Sequence, residues 1–578
     1  MNLKRFIPAF DWLPKYKGDY LKGDIAAGLT VGVMLIPQGM AYAMIAGLPP
    51  IYGLYASTIP LIIYALLGTS RQLAVGPVAM VSLLTAAGIG ALAEGGTETY
   101  IALAIALALF VGLIQFLLGV FRLGFLVNFL SHPVISGFTS AAALIIGLSQ
   151  LKHLLGVDIP RSHHVHEIIG HAIGQFGAIN WVTFGLGVGG IVLIKGAKRI
   201  HKSMPGPLLA VVFGILAVWL FGLTGQDVKI VGEVPKGLPS LNVPVFNWAT
   251  LQDLAPIALA ISLVSFMESI AVAKAIQAKH KNYKVLPNQE LIALGLANIG
   301  GAFFQSYTVT GGFSRTAVND QAGAKTGLAS IISAALIILT LLFLTPLFYF
   351  LPKAMLASVI MVAVFGLIDY KEAIHLWHSN RTDFAMLIIT FIATLGLGIE
   401  QGIAVGVILS LAMVIYRTTR PHVAVLGKVP GSHFYRNVNR FDDLEVDPKT
   451  LIIRFDAQLY FANTNYFKDK LEQLAEERKG QLKTIIINAD SMNSLDSSAV
   501  HALEEVIDDY RQQGIQILFT GVKGPVRDAM VKGHLIEKIG KQHFFMSVQE
   551  AVDFLGMSEP VPVDEKEEFE EYTLQSNV

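Results

Sequence analysis

Two short segments carry the residues best placed to hold an anion without a metal. Leu73–Met80 reads LAVGPVAM and Thr308–Thr316 reads TVTGGFSRT, each within an apolar stretch. Pro77 suits the first turn of a helix, because its missing N–H would be unpaired there in any case, and Gly76 lets the preceding backbone bend. Gly311 and Gly312 can do the same in the second segment, leaving Phe313, Ser314 and Arg315 on a first helical turn. A helix that starts in apolar surroundings points free N–H groups and the positive end of its dipole at whatever lies ahead. Two such starts facing one another make an anion site with few formal charges. The plainer reading of Gly-Pro and Gly-Gly is a kink in a packed helix. Arg315 and Glu268 are the charges most deeply placed in apolar sequence, and a charge left unpaired at such depth costs several kcal/mol. Arg315 stays protonated and attracts an anion. Glu268, in SLVSFMESIAVA, would be repelled by an oxyanion beside it, which favours proton uptake. Once protonated, it would let a divalent anion ride with a proton. The competing reading is a permanent Glu268–Arg315 ion pair that only fixes packing.

The elements that must position these residues are membrane spans. The chain has 578 residues, 53% hydrophobic and only 15% charged, with a mean hydropathy of +0.56. Soluble chains run nearer a quarter charged. The net charge of zero conceals a split: residues 1–423 hold 26 Lys/Arg and 17 Asp/Glu, and residues 424–578 hold 17 and 26. The first part has the composition of a lipid-embedded body, the second that of a soluble acidic domain. Fourteen apolar segments follow one another, near 24–46, 51–68, 74–91, 99–120, 132–150, 178–195 and 206–222, then 254–278, 288–304, 308–320, 326–350, 354–370, 383–399 and 401–418. An odd number per half means that the halves are inverted, as in secondary transporters, and the third and tenth spans are the short, interrupted ones. The glycine motifs therefore occupy corresponding places, which favours the anion reading over the kink.

Basic residues set the orientation. Lys4, Arg5, Lys15, Lys17 and Lys22 precede the first span; Lys195, Lys198, Arg199 and Lys202 follow the sixth; Lys279, Lys281 and Lys284 follow the eighth; Arg417 and Arg420 close the fourteenth. All fall on one side, so both termini are expected in the cytoplasm. The expected organisation is a cytoplasmic arm over 1–23, a membrane domain over 24–420, a linker over 421–448, a soluble domain over 449–556 and an acidic, disordered tail over 557–578. In the soluble domain Leu451–Phe455, Thr484–Asn488 and Ile515–Thr520 read as buried strands. Tyr466–Lys479, Ser497–Gln513 and Gly524–Lys532 read as amphipathic helices, giving a small α/β domain. The tail run Asp564–Glu571 (DEKEEFEE) reads as solvated charge.

Ile36–Ser57 (IPQGMAYAMIAGLPPIYGLYAS), Gly68–Ala79, Phe125–Ala143 and Asn288–Asn319 resemble the sulfate permease (SulP) family of anion transporters. The cytoplasmic part, including DSMNSLDSSAVHAL (Asp490–Leu503), resembles a STAS domain. The resemblance implies a fourteen-span fold of two inverted seven-helix repeats, a core domain moving against a gate domain, and homodimers. It also implies that Gln38 and Tyr42 line the anion site with Val78 and Ser314. Ser498 matches the phosphorylated serine of anti-sigma factor antagonists, which would make it a regulatory site for a cytoplasmic partner. The plain alternative is that the serines of Ser497–Ser498 cap a helix.

The expected function is secondary active transport of a small inorganic oxyanion across a bacterial inner membrane, with sulfate and proton symport leading. Sodium-coupled bicarbonate or dicarboxylate transport is the alternative, with an anion exchanger or channel of the same fold behind it. No nucleophile–base constellation, phosphate loop or metal motif points to an enzyme or a cofactor. His163, His164, His166 and His171 cluster in a stretch expected to be a loop, where histidines are usually solvated. The absence of Cys excludes disulfides and thiolate metal sites. No basic, aromatic-interleaved face suggests nucleic acid.

Overall fold

The computed structural model describes residues 7–90, 92–125, 131–159, 165–200, 205–244 and 248–556. Lys4, Arg5, His163, His164, Lys202, the side chains of His166 and Lys198, and the tail Asp564–Glu571 lie outside the described residues. Contacts divide the chain into two units, Met1–Leu411 and Ala412–Val578.

Each of the fourteen apolar segments carries helix. The elements around the glycine motifs are Gly18–Ile45 (α1), Val75–Gly76 (β1), Ala79–Gly90 (α2), Glu98–Val120 (α3), Trp248–His280 (α4), Pro287–Phe303 (α5), Thr310–Gly311 (β2), Phe313–Gln321 (α6) and Leu328–Leu339 (α7). Among the described residues, seven helical stretches are long and apolar enough to cross a membrane, α1 and α3 among them, and four shorter apolar ones include α2. The packing is reciprocal between the halves. α3 lies along α4 and α5, while α7 lies along α1 and the helix Ile59–Leu67. Likewise His132–Ser149 packs on Arg381–Leu397, and Lys353–Phe365 on Trp181–Ile200. Exchange of first-half for second-half partners is what an inverted repeat produces. Between α3 and α5 the backbones themselves touch. A Cβ on Gly112 would meet the Ile299 nitrogen at 2.7 Å, and one on Gly295 the Phe116 nitrogen at 2.6 Å. Small residues at such crossings replace the hydrophobic drive that lipid removes.

The second unit is a six-stranded sheet in the order β4-β3-β5-β6-β7-β8, with β3 Val423–Lys428, β4 Tyr435–Asn437, β5 Thr450–Phe455, β6 Thr484–Asn488, β7 Gln516–Thr520 and β8 Phe544–Phe545. β5 to β8 run parallel, and β3 is antiparallel to both its neighbours. Alternation along the strands feeds two cores. Ile485 and Ile487 meet Phe467 and Leu503 on one face, whereas Ile486 and Leu518 meet Val548 and Val552 on the other. Each fully buried branched side chain contributes about 1.5–3 kcal/mol. The three strands and three helices expected from sequence are present within two residues, or three at one helix end. The stretch 421–448 is not a linker, because it supplies β3 and β4 to the sheet. Pro421, Pro430 and Gly431 punctuate it like a loop, and β3 finds a partner, β5, only beyond residue 449.

Candidate functional site

The two glycine motifs come together as a ribbon. β1 and β2 pair antiparallel, Val75 opposite Gly311 and Gly76 opposite Thr310. The Gly312 N–H donates to the Ala74 carbonyl at 3.0 Å, and the Ala74 N–H donates to Thr316 Oγ1 at 3.0 Å. Gly76 has φ +152°, a conformation that side chains disfavour. α6 starts at Phe313 with Gly312 extended before it, as its sequence suggests. α2 starts later than expected: the Ser82 N–H donates to the Val78 carbonyl, so Val78 opens the helix and Pro77 stands before its first turn. The Pro77 carbonyl is turned instead toward Arg315, whose Nη1 donates to it at 2.5 Å.

α4 and α5 hold the ribbon in place. The Gly311 N–H donates to Ser269 Oγ at 2.8 Å, and Thr310 Oγ1 donates to the Ser265 carbonyl at 2.7 Å. Asn298 on α5 accepts from the Val309 N–H at 2.8 Å and donates to the Val309 carbonyl at 3.1 Å. Ser269 follows Glu268 directly, so the residue that pins β2 also fixes where Glu268 begins.

Arg315 is 2% exposed and is the only buried lysine or arginine among the described residues. Its guanidinium lies against both helix leads: a Cβ on Gly312 would stand 2.9 Å from Nη2, and one on Gly76 3.4 Å. Tyr42, Glu268 and Tyr307 lie within electrostatic reach of it. Nε and Nη2 of Arg315, Oε2 of Glu268 and Oε1 of Gln38 are buried without a protein hydrogen-bond partner. Buried polar groups are ordinarily paired, and here several unpaired ones gather around two helix starts. Arg315 and Glu268 form no ion pair within 4 Å; the guanidinium is bonded to a carbonyl instead. Gln38, Tyr42 and Val78 are buried. Phe313, at 59% exposure, and Ser314 are at the edge of this cluster. With about 100° of rotation per residue, turning Arg315 inward turns its two predecessors away.

Some participants leave little trace in the sequence. Tyr307, fully buried, shares a hydrogen bond of 3.0 Å with Ser82 on α2. Two buried carboxylates knot the unit elsewhere. Asp24 on α1 accepts from the N–H groups of Lys325 and Thr326, and Glu290 on α5 from those of Thr69 and Ser70. Sequence reasoning has no local signal for partners so far apart. In the second unit Asp496, not a serine, caps the helix Ser497–Gln512 (α8), accepting from the Ala499 N–H at 2.8 Å. Ser497 and Ser498 are exposed on its first turn. His171 sits in the helix Val165–Gly174 rather than in a loop.

An inverted helical repeat with paired half-helix starts and a buried cation that forms no ion pair among the described residues defines a multi-pass membrane protein of transporter architecture. The chain belongs to the sulfate permease family, whose model matches residues 21–390, and it carries a STAS domain, matched over 443–551. It is 41% identical over 564 residues to "Sulfate transporter 4.1, chloroplastic" of Arabidopsis thaliana, covering 94% of this chain and 82% of that one. It is 34% identical to "High affinity sulfate transporter 2" of Stylosanthes hamata, over 96% and 87%. Among solved structures it resembles the murine Solute Carrier 26 family member A9 anion transporter in the inward-facing state, with TM-score 0.87, 27% identity and coverage of 96% and 95%.

Proposed function

We propose that the protein is a secondary active carrier that moves sulfate together with a proton by alternating access. The observation that supports this most is the buried guanidinium of Arg315, with two nitrogens lacking a protein partner, beside a Glu268 carboxylate it does not pair with. Sulfate enters from the names of the relatives, which are described as sulfate transporters. In this reading the dianion lies before the starts of α2 and α6, bordered by Gly76, Pro77, Val78 and Gly312, with the exposed Phe313 and Ser314 at the outer edge of the site. Arg315 supplies the formal positive charge, and Gln38 and Tyr42 complete the wall from α1. Glu268 takes up a proton when the dianion arrives, because two negative groups at close range disfavour one another. The helices bearing the site move against the remainder, opening it to each side in turn. The protein works as a homodimer in the cell's inner membrane with both termini in the cytoplasm. Exposed Ser498 offers a regulator a place to act on the STAS domain.

Radiolabelled uptake into proteoliposomes tests the reading. Sulfate should accumulate when the side of entry is acidified, with no need of sodium and with bicarbonate and dicarboxylates competing weakly. Strict sodium dependence with bicarbonate preferred would replace it by the bicarbonate alternative. Exchange that never concentrates the anion would make the protein an exchanger.

A further inference from the structure

A cavity of about 550 Å³ opens in the membrane unit near, but not at, the site just described. None of the residues assigned to that site lines it. Its lining includes Ile45 on α1 and Leu83 on α2, both buried. Ile45 is three residues beyond Tyr42, about 4.5 Å of helical rise, so the cavity stands one turn outward of the buried tyrosine. Three groups able to carry positive charge reach it from two other helical elements. Lys152 and His153 come from the helix Leu151–Leu155, and Lys353 stands on the first turn of Lys353–Phe365. All three are half-buried. Glu94 is the one carboxylate in the lining, and it is exposed at the rim. Lys353 pairs with no carboxylate among the described residues, and its ammonium adds to the positive end of a 13-residue helix.

We infer that this cavity is an antechamber that collects small inorganic oxyanions from solution before they reach the buried site. Partial burial of like charges in a concave, low-dielectric wall concentrates anions and can raise their arrival rate by about 10- to 1,000-fold. The location supports passage rather than storage, since α1 and α2, which border the inner site, also contribute to the lining. The cations come from two helices that pack on one another, of which Lys353–Phe365 also packs on α1, so motion of this pair along α1 would change the cavity's depth. The role as an antechamber rests on the transport reading above, whereas anion collection does not.

The absence of native cysteine allows a clean measurement. Ala93, in the lining, is replaced by Cys in the full chain, and its modification by anionic and cationic methanethiosulfonates is timed in phosphatidylcholine vesicles. Leu241→Cys, at 71% exposure, is the reference. The anionic-to-cationic rate ratio at Ala93→Cys should exceed the reference by about tenfold. It should fall toward the reference with Lys152→Gln or Lys353→Gln, and millimolar sulfate should slow labelling. Should Ala93→Cys fail to insert, Ser149→Cys reports on the same cavity. A ratio equal to the reference overturns the proposal. So does a ratio that sulfate leaves unchanged, or labelling slowed only by added phosphatidylglycerol, which would identify a lipid headgroup. These readings do not depend on uptake. Failure of the transport reading would show separately, as wild-type vesicles that take up no sulfate. If they do take it up, Lys152→Gln should raise the half-saturating concentration severalfold at low salt and less at high salt, as screening requires.

Discussion

Arg315 carries the largest electrostatic stake of any residue in the membrane unit. It is buried, bonded to one carbonyl, and left with two nitrogens free of protein partners. Removing one member of a buried charge pair typically costs about 2–5 kcal/mol of binding, a 30- to several-thousand-fold loss. Arg315→Ala should therefore abolish concentrative uptake yet leave a folded, inserted protein, because only the Pro77 carbonyl loses a bond. Uptake at wild-type rates in monodisperse mutant protein would refute the assignment. Glu268 separates the coupling reading from the ion-pair reading. Glu268→Gln keeps the shape of the protonated carboxyl and has no titratable proton. It should lose accumulation driven by a pH gradient while still binding or exchanging sulfate, neither of which needs net proton movement. A static pair would make the same change damage folding first, but the two groups are not paired here. Accumulation by Glu268→Gln that still tracked the gradient would remove the proton role.

At the scale of elements, the site depends on two short strands held by polar groups from other helices. LAVGPVAM and TVTGGFSRT were legible because glycine and proline act locally and their placement repeats in the two halves. The late start of α2 was not legible, since it follows from a carbonyl turned to a side chain 238 residues away. The clamps from Ser269 and Asn298, and the carboxylate knots, were illegible for the same reason: periodicity reports a residue's own face, not its distant partner. Asp24 shows how much such a partner matters. Its carboxylate takes the Lys325 N–H at 2.7 Å, the Thr326 N–H at 3.0 Å and Thr326 Oγ1 at 2.7 Å, so that the lead into α7 is tied to α1. Each buried donor left unpaired costs about 1–3 kcal/mol. Asp24→Ala should accordingly lower the Tm of the detergent-solubilised protein by many degrees, and Asp24→Asn, which keeps one acceptor oxygen, by less. Equal melting of Asp24→Ala and wild type would mean that the knot contributes nothing.

At the scale of the whole molecule, the two units differ in composition, architecture and core, and every residue assigned to the anion site belongs to Met1–Leu411. The STAS domain can therefore be removed without deleting any part of that site, provided the cut respects the fold. A linker over 421–448 would make a stop near 430 harmless. The structure predicts the opposite, because such a stop keeps β3 and discards β4 and β5, its partners on both sides. Ala424 and Leu426, buried in the intact sheet, would be exposed on a strand with both edges open, a template for aggregation. A stop after Arg420 lies just beyond the end of the helix Ile399–Thr419 and leaves no orphan strand. The 1–420 protein should be monodisperse in detergent and should bind radiolabelled sulfate with an affinity within a few-fold of the full chain, whereas the 1–430 protein should aggregate. Turnover in vesicles can fall in the shorter protein without touching this argument, since rate reflects motion and assembly as well as the site. Loss of sulfate binding by a monodisperse 1–420 protein would show that the STAS domain shapes the site itself.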